Sequence, residues 1–489
     1  MAKIDKLTKI TPLSVDPAKW YNEVVLQAEL ADYAPVRGCM VIRPYGYALW
    51  EKIQEFMDKR IKENGVANAY FPLFIPYSLL KKEKEHVEGF SPELALVTIG
   101  GGKELDEPLV VRPTSETIMY QMFSNWIKSW RDLPFKVNQW CNVVRWEKRT
   151  YLFLRTTEFL WQEGHTCHTT EKEAMSEVMW ALDMYKSLFT DLLALEPIVG
   201  RKSESEKFAG AKSTYTCEVL SRSGKAVQTG TSHLLGQNFS KSFDVKYQNK
   251  EGKNEYVWQT SWGQGTRAIG SLIFHHGDDL GLLLPPRVAP IQIIIIPVAK
   301  GDGTKVNAYA EKIKKELVQD GFRVKLDDSD QSAGYKFAYW DVRGVPIRLE
   351  IGERELADNK VTYVLRYEWE KDKKVVRHEL LRDEFIEKAE AILDDVHNAL
   401  LARSRKFNKE QTAEVDNWEE FEEAVEKGGW IVASWCENAD CEAEIKDKTK
   451  ATTRCLSLRE RETRDRKAGD KCVHCGKEAK NNWYFARAY

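Results

Sequence analysis

KVNQWCNVVRWEKRTYLFLRTTEFLWQEGH, residues 136–165, decides how the first half of the chain is read. On a strand template side chains alternate between faces, so Val137, Gln139, Cys141, Val143, Arg145 and Glu147 share one. The return segment groups Arg155, Thr157, Phe159, Trp161 and Glu163 in the same way. Paired through a loop at 148–154, the two segments gather arginines, carboxylates and aromatic rings on a single surface. A salt-bridged sheet surface is the ordinary explanation of a lone Arg-x-Glu. A planar, anionic ligand is the alternative. Phe159 can stack on a base, Glu147 can accept hydrogen bonds from an exocyclic amine, and guanidinium groups can grip phosphate oxygens bidentately. ATP has all three features.

The rest of the chain bounds that choice. Its 489 residues exceed one hydrophobic core and predict about two to four domains. With 43% hydrophobic and 30% charged residues and a net charge of −2, no whole-molecule basic field announces a nucleic-acid partner, so any such surface is local. MAKIDKLTKI at the start has no signal-type apolar core, and the longest aliphatic run, IQIIIIPVA at 291–299, is too short to span a bilayer. The expectation is a cytoplasmic protein with no membrane and no DNA partner. Cys39, Cys141, Cys167 and Cys217 are scattered, whereas five further cysteines crowd between 436 and 475, which in a reducing compartment suggests metal.

Composition divides the chain in three. Residues 1–284 mix helical and alternating patterns and are rich in aromatics, until the double proline of LLLPPRVAP (282–290) breaks them. From 287 to 405, IQIIIIPV, VKL, VPIRLEI and KVTYVLR read as strands. They alternate with helices at VNAYAEKIKKEL, at GYKFAYWDV and over about 383–405, making a compact α/β domain. The charged tract RSRKFNKEQTAEVDN (403–417) marks a second boundary near 410, leaving a small domain over 410–489.

Arg145-x-Glu147 on a strand, a loop, then Arg155-x-x-x-Phe159 on the next strand resembles the second signature motif of class II aminoacyl-tRNA synthetases. The other two signatures follow in order. GYALWEKIQEFMDKRIKENG, stopped by Gly65, and the strand ANAYFPLFIP with Pro72 resemble the first, whose family role is the dimer interface. TSWGQGTRAIGSLIFHHGDD resembles the third, with Gly263, Gly265 and Gly270 admitting a ligand to the backbone and Arg267 as terminal arginine. Thr114-Ser115-Glu116 resembles the loop with which prolyl-tRNA synthetases hold the imino group, and FLWQEGH, QTGTSHLLGQNFS and TSWG also match that family. Taken alone, TSE before a helix is usually a cap.

Cys436 and Cys441, then Cys472 and Cys475, form two knuckles whose thiolates describe a closed tetrahedral zinc site, structural because no position is left for water. Cys455 and His474 read as exposed positions rather than ligands. Prolyl-tRNA synthetases of the archaeal and eukaryotic type carry such a domain. They also end in tyrosine with the terminal carboxylate reaching toward the active site, so the resemblance implies the same of Tyr489. His275, His276, Asp278 and Asp279 read as structural.

The resemblance implies a class II α+β catalytic domain, an antiparallel sheet flanked by helices. It is followed by an α/β anticodon-binding domain and a small zinc-binding α+β domain. It implies a homodimer that joins L-proline to tRNA(Pro) using ATP with Mg²⁺, lacking an editing domain between Glu163 and Trp262. Arg145 and Arg267 would be catalytic. Proline would be held by Thr114, Glu116, Arg145, Trp161, Glu163, His165, His233, Trp262 and Phe90. ATP would be held by Arg145, Glu147, Arg155, Phe159, Gln228, Thr231 and Arg267, with Glu218 as a magnesium ligand. Arg348 and Arg366 would read guanine edges. The alternatives are another class IIa synthetase, for threonine or glycine, and a non-charging, RNA-binding paralogue. The second would be expected to have lost some of the phosphate-gripping arginines, all of which stand in register here.

Overall fold

A computed structural model describes residues 10–82, 94–299, 301–369, 375–458 and 470–489. The catalytic part is built on an antiparallel sheet. Helix α1 (Pro44–Glu63) leads into the short edge strand β1 (Ala67–Asn68), and α2 (Glu116–Trp126) precedes the hairpin pair β2 (Phe135–Val144) and β3 (Glu158–His168). Helix α3 (Glu171–Ser187) starts at a capping box in which Thr170 and Glu173 satisfy each other's backbone amides. Strands β4 (Ile198–Arg201), β5 (Ser213–Leu220), β6 (Ala226–Gly236) and β7 (Trp258–Gly265) follow, and α4 (Arg267–His276) closes the unit. Every position of α4 after Arg267 is buried, which its near-continuous apolar sequence requires.

The register of β2 with β3 sets Val143 opposite Phe159, Cys141 opposite Trp161 and Gln139 opposite Glu163. β2 ends at Val144, three residues before the strand template predicts. The Val144 amide turns to the carbonyl of Arg112, and the Arg145 amide donates to Thr157 at 2.8 Å. Arg145 and Glu147 therefore project from the loop at the strand end rather than from the sheet face.

The α/β unit contains β8 (Ile293–Val298), α5 (Thr304–Gln319), β9 (Val324–Leu326), α6 (Ala333–Val342), β10 (Ile347–Gly352), β11 (Lys360–Leu365), β12 (His378–Leu381) and α7 (Arg382–Glu410). Its five strands run β9-β8-β10-β11-β12, with β8 parallel to both neighbours and β11 antiparallel to its own. Val306, Ile313 and Leu317 of α5 are buried against Ile293, Ile295 and Leu349, as their spacing predicts.

Helix α7 continues to Glu410, so the charged tract at 403–417 is not a loose linker. Ser404 is buried, its hydroxyl receiving the amide of Glu196, and Asn408 donates to the Glu196 carbonyl. Beyond it lie β13 (Thr412–Val415), α8 (Trp418–Lys427), β14 (Trp430–Trp435), α9 (Ala439–Thr449), β15 (Ala451–Ser457) and β16 (Asn481–Arg487). These strands do not form a separate sheet. β15 pairs antiparallel with β4, producing one eleven-stranded sheet in the order β13-β14-β16-β15-β4-β5-β6-β7-β3-β2-β1. The junction needs Gly200, because a Cβ there would lie 2.4 Å from the Leu456 carbonyl. Ile198, Leu220 and Ala226 share an apolar cluster with Trp430, Val432, Cys455 and Tyr484 across the seam. Cys455 is thus a buried core residue rather than an exposed one, and its thiol fills space beside Gly200.

Candidate functional site

A cavity of about 310 Å³ opens on the face of β3, β5, β6 and β7. It gathers the side chains singled out from sequence on both strands of the opening hairpin, on the Thr114–Glu116 turn, on β6 and on β7. Its two ends differ in chemistry.

At one end carboxylates are held in place by neighbours. Thr114 donates to Glu116 at the first turn of α2, and Ser115 donates to Glu163. Gln139, directly across the strand pair, adds a second donor to Glu163 at 2.9 Å. Ser115 at the start of α2 makes no capping bond, so the turn is not the cap that the pattern alone suggests. His165 lies 3.2 Å from the other Glu163 oxygen and 3.1 Å from the Tyr120 hydroxyl. Trp161 and Trp262 supply apolar surface. Trp262 lies flat over β3 because its strand partner is Gly164, where a Cβ would sit 2.2 Å from the indole. His233 accepts or donates at Thr214 (2.9 Å) and packs against the tilted ring of Phe208 at 4.6 Å. Burial, with smaller contributions from His165 and Arg145 against the opposing pull of Glu116, drives the His233 pKa down to about 4, so the ring is neutral at neutral pH.

At the other end three guanidinium groups face one space. Arg145 is aimed by the Pro113 carbonyl (3.1 Å) and lies 5.7 Å above Phe159 and 5.5 Å above Trp161. Arg155 is 3.2 Å from Glu147. Arg267, the first residue of α4, donates to the carbonyls of Leu154 at 2.9 Å and Gln228 at 3.2 Å. Burial, then the adjacent Arg145 and Arg155, lower its pKa to about 10. Mutual repulsion of this kind is relieved by an incoming polyanion. Gln228 and Thr231 line the same end through β6, where Thr229 bulges out of register and donates to the Cys217 carbonyl at 2.8 Å.

Several expectations need correction. Glu218 does not line the cavity. It is fully buried, with Lys202 2.8 Å from one oxygen and Arg454 2.6 Å from the other, and is not available to magnesium. Arg348 and Arg366 are almost wholly buried and so cannot read base edges. Arg348 pairs with Asp341 and Glu350, and Arg366 forks onto Asp278. An Arg at a strand end looks the same in sequence whether a carboxylate or a base faces it. Gly270 packs α4 against Leu154 rather than admitting a ligand. Phe90 lies outside the described residues. His275 and His276 donate to the carbonyls of Leu220 and Leu193, and Asp279 accepts the Leu13 amide, which are structural roles.

Sequence reasoning missed Glu206, Phe208, Thr214 and Ser261, all of which line the cavity. Ser261 alternates with Gly263 on β7, a period-two signal that could have found it. Nothing in the 206–208 loop announces itself.

Across the molecule, the sulfurs of Cys436, Cys441, Cys472 and Cys475 lie within 4.8 Å of one another, with Cys441 and Cys472 at 3.7 Å and Cys436 and Cys475 at 3.6 Å. A tetrahedron with bonds of about 2.3 Å has edges of about 3.8 Å, which these two pairs match, so the set fits zinc. The Cys441 thiol, joined by the backbone amides of Cys475 and His474, lowers the pKa of Cys472.

Three family descriptions match the chain: tRNA synthetase class II core domain (G, H, P, S and T) over 97–276, anticodon binding domain over 292–392, and prolyl-tRNA synthetase, C-terminal, over 418–489. Proline--tRNA ligase 2 of Clostridioides difficile is 50% identical over the whole length of both chains, and proline--tRNA ligase of Alkaliphilus oremlandii is 49% identical, again over 100% of each. Prolyl-tRNA synthetase from Cryptosporidium parvum, solved with halofuginone and AMPPNP, superposes with a TM-score of 0.93 at 40% identity. That match covers 99% of this chain and 97% of the other. The same enzyme solved with L-proline and AMP gives 0.92 at 39% identity, with the same coverage.

Proposed function

The chain belongs to the prolyl-tRNA synthetases, and on that premise we propose which of its residues hold proline, which hold ATP and where tRNA and metals engage. The reaction is the ATP-dependent attachment of L-proline to tRNA(Pro). The proline carboxylate attacks the α-phosphorus, pyrophosphate leaves, and the terminal ribose hydroxyl of tRNA then attacks the activated carbonyl, releasing AMP. A carboxylate is already ionised at neutral pH, so the first step needs no general base. What it needs is alignment and charge neutralisation.

The observation that carries the assignment is the polarity of the cavity. A secondary ammonium needs acceptors, and the carboxylate end supplies Thr114, Glu116 and Glu163. Trp161 and Trp262 bound the pyrrolidine ring, while neutral His233 lies beside the reacting carboxylate without adding a charge to it. Arg145, at the junction, bridges the proline carboxylate and the α-phosphate. Arg155 and Arg267 take the outer phosphates, Phe159 takes the adenine face and Glu147 its amine. Gln228 and Thr231 lie on the ribose side. The magnesium that accompanies ATP arrives on the nucleotide, and the carboxylates lining the cavity are Glu116, Glu147, Glu163 and Glu206.

Zinc would be held by the four clustered cysteines as a structural ion, closing the chain between α9 and β16. A second copy of the chain would cover Tyr70 and Phe74, which flank Pro72 and stand 73% and 46% exposed. The α/β unit would take the anticodon, through residues other than Arg348 and Arg366. No described helix is long and apolar enough to cross a membrane, and nine cysteines without a disulfide suit a cytoplasmic setting.

Pyrophosphate exchange into ATP tests the assignment. It should depend on proline, proceed without tRNA and fail with threonine or glycine. Exchange driven equally by those amino acids would overturn it.

A further inference from the structure

One buried cluster in the eleven-stranded sheet is not explained by the reaction. Glu218 on β5 receives Arg454 from β15 through Nε at 3.2 Å and Nη2 at 2.6 Å on one oxygen. On the other oxygen it receives Lys202 at 2.8 Å and the Thr216 hydroxyl at 3.1 Å. All three charged groups are nearly solvent-free. Arg454 is further fixed by Thr452 at 3.0 Å. The residues beside it are tied in the same way: Glu442 of α9 accepts from Thr453 and, at 2.7 Å, from Ser203, the neighbour of Lys202. The cysteine-bearing segment therefore reaches into the catalytic sheet with a cation that serves no apparent need of its own small core.

The position of Glu218 gives that cation a purpose. Its partner across β5–β6 is Gln228, immediately before the bulge at Thr229. The Gln228 carbonyl holds Arg267, at the guanidinium end of the cavity. A bulge is the point in a strand pair least fixed by the ladder of backbone bonds, because one residue has no partner. From the structure we infer that Arg454 is a positioning residue for ATP, acting through Glu218 to hold the bulged strand and so the carbonyl that aims Arg267. Arg454 touches neither substrate nor reacting atoms. The chain of contact is a salt bridge, one strand pairing and one hydrogen bond. Burial shapes the balance of charge as well. Two cations share one carboxylate, and Lys202 is pushed toward its neutral form first by burial and then by Arg454. Removing Arg454 leaves Lys202 and Glu218 as a matched pair, so the loss falls on alignment more than on charge.

The inference rests on the assignment of Gln228 and Arg267 to the ATP side of the cavity, and the experiment separates the two. Proline-dependent pyrophosphate exchange is measured on the full chain at varied ATP and varied proline. Arg454→Met should raise KM for ATP by roughly tenfold, leaving KM for proline and the zinc content unchanged. Arg454→Lys, which keeps the charge and loses the fork, should recover part of the difference. A merely structural Arg454 would instead reduce the number of active sites counted by adenylate burst, with both KM values unmoved, and that result would overturn the inference. Should Arg454→Met not be recovered folded, the triple variant Lys202→Met, Glu218→Met, Arg454→Met replaces the buried ions by side chains of similar volume. It should show the same selective rise in KM for ATP. A normal KM in the triple variant, or its failure to fold, would also overturn the inference. Arg267→Lys should raise KM for ATP whatever Arg454 does, and its failure to do so would sink the site assignment instead.

Discussion

Arg366 and Asp278 meet fork to fork, with Nη1 2.8 Å from Oδ2 and Nη2 2.6 Å from Oδ1. Asp278 lies two residues past the end of α4, and Arg366 follows β11, so the pair bolts the α/β unit to the helix that begins at Arg267. Replacing Arg366 by Met strands a mostly buried carboxylate. Because Asp278 keeps some access to water, the expected loss is about 2–4 kcal/mol, somewhat below that for a fully enclosed pair. Thermal unfolding of the variant measures it, and an unchanged midpoint would show that the pair contributes nothing net.

Arg145→Ala should abolish proline-dependent exchange with the unfolding midpoint intact. One charge-assisted clamp at the developing charge is worth roughly 2–4 kcal/mol of barrier, or a factor of about thirty to a thousand in rate. Arg145 stands past the end of β2, and its backbone amide, which donates to Thr157, survives the substitution, so the sheet pairing is left untouched.

Acid should destabilise the protein between pH 6.5 and 4. His168, His233 and His275 have folded pKa values lowered to about 4, mainly by burial, and burial also holds His276 well below the ordinary histidine value. In that window the unfolded chain binds protons that the folded chain refuses, so stability is fully present above pH 6.5 and falls as the pH drops. Each group contributes a slope of up to about 1.4 kcal/mol per pH unit. Urea titrations at stepped pH values would reveal it, and a flat profile from pH 7 to 4 would contradict the burial of these rings.

Chelation of zinc, or Cys472→Ser with Cys475→Ser, should lower the whole unfolding transition rather than release residues 410–489 alone. The segment shares a sheet and an apolar cluster with β4 and β5, so damage there is transmitted across the seam. Hydrogen exchange should show amides of Ile198–Arg201 losing protection together with those of β15. Loss confined to residues after 410 would mean that the seam carries no cooperativity.

Alanine should be activated measurably. It is smaller than proline and meets the same acceptors, and each methylene missing from an apolar pocket is worth only about 1–3 kcal/mol. The interval between β3 and β7 is taken up by α3, by β4, β5 and β6, and by the helix and strand pair at Asn238–Tyr256, with no separate folded unit for hydrolysis. Pre-charged alanyl-tRNA(Pro) incubated with the enzyme should decay at the buffer rate.

How far the sequence could be read depended on whether a residue's role lay in its own strand or in what faced it. Phe159, Trp161 and Glu163 were legible because period-two alternation and a two-stranded register determine their face. The catalytic class was legible through motif order. Arg348 and Arg366 were misread because burial is not a local property. Arg348 is turned inward by Asp341 and Glu350, seven and two residues away but on the buried side of the sheet, and Arg366 by Asp278, 88 positions earlier in the chain. The continuation of the sheet into residues 410–489 was hidden for a similar reason. β4 is only four residues long, and nothing in Ile198–Arg201 says which strand will cover its outer edge.

That covering strand arrives late in synthesis. Glu218 and Arg454 are separated by 236 positions, which a ribosome adding about 5–20 residues per second needs roughly ten to fifty seconds to traverse. Throughout that interval the outer edge of β4 offers unpaired amides and carbonyls to any passing strand, the usual template for aggregation. The enzyme's own production should therefore be sensitive to translation speed downstream of β5. Slow codons between α4 and β15 should lower the soluble yield, whereas the same codons placed after β15 should leave it unchanged.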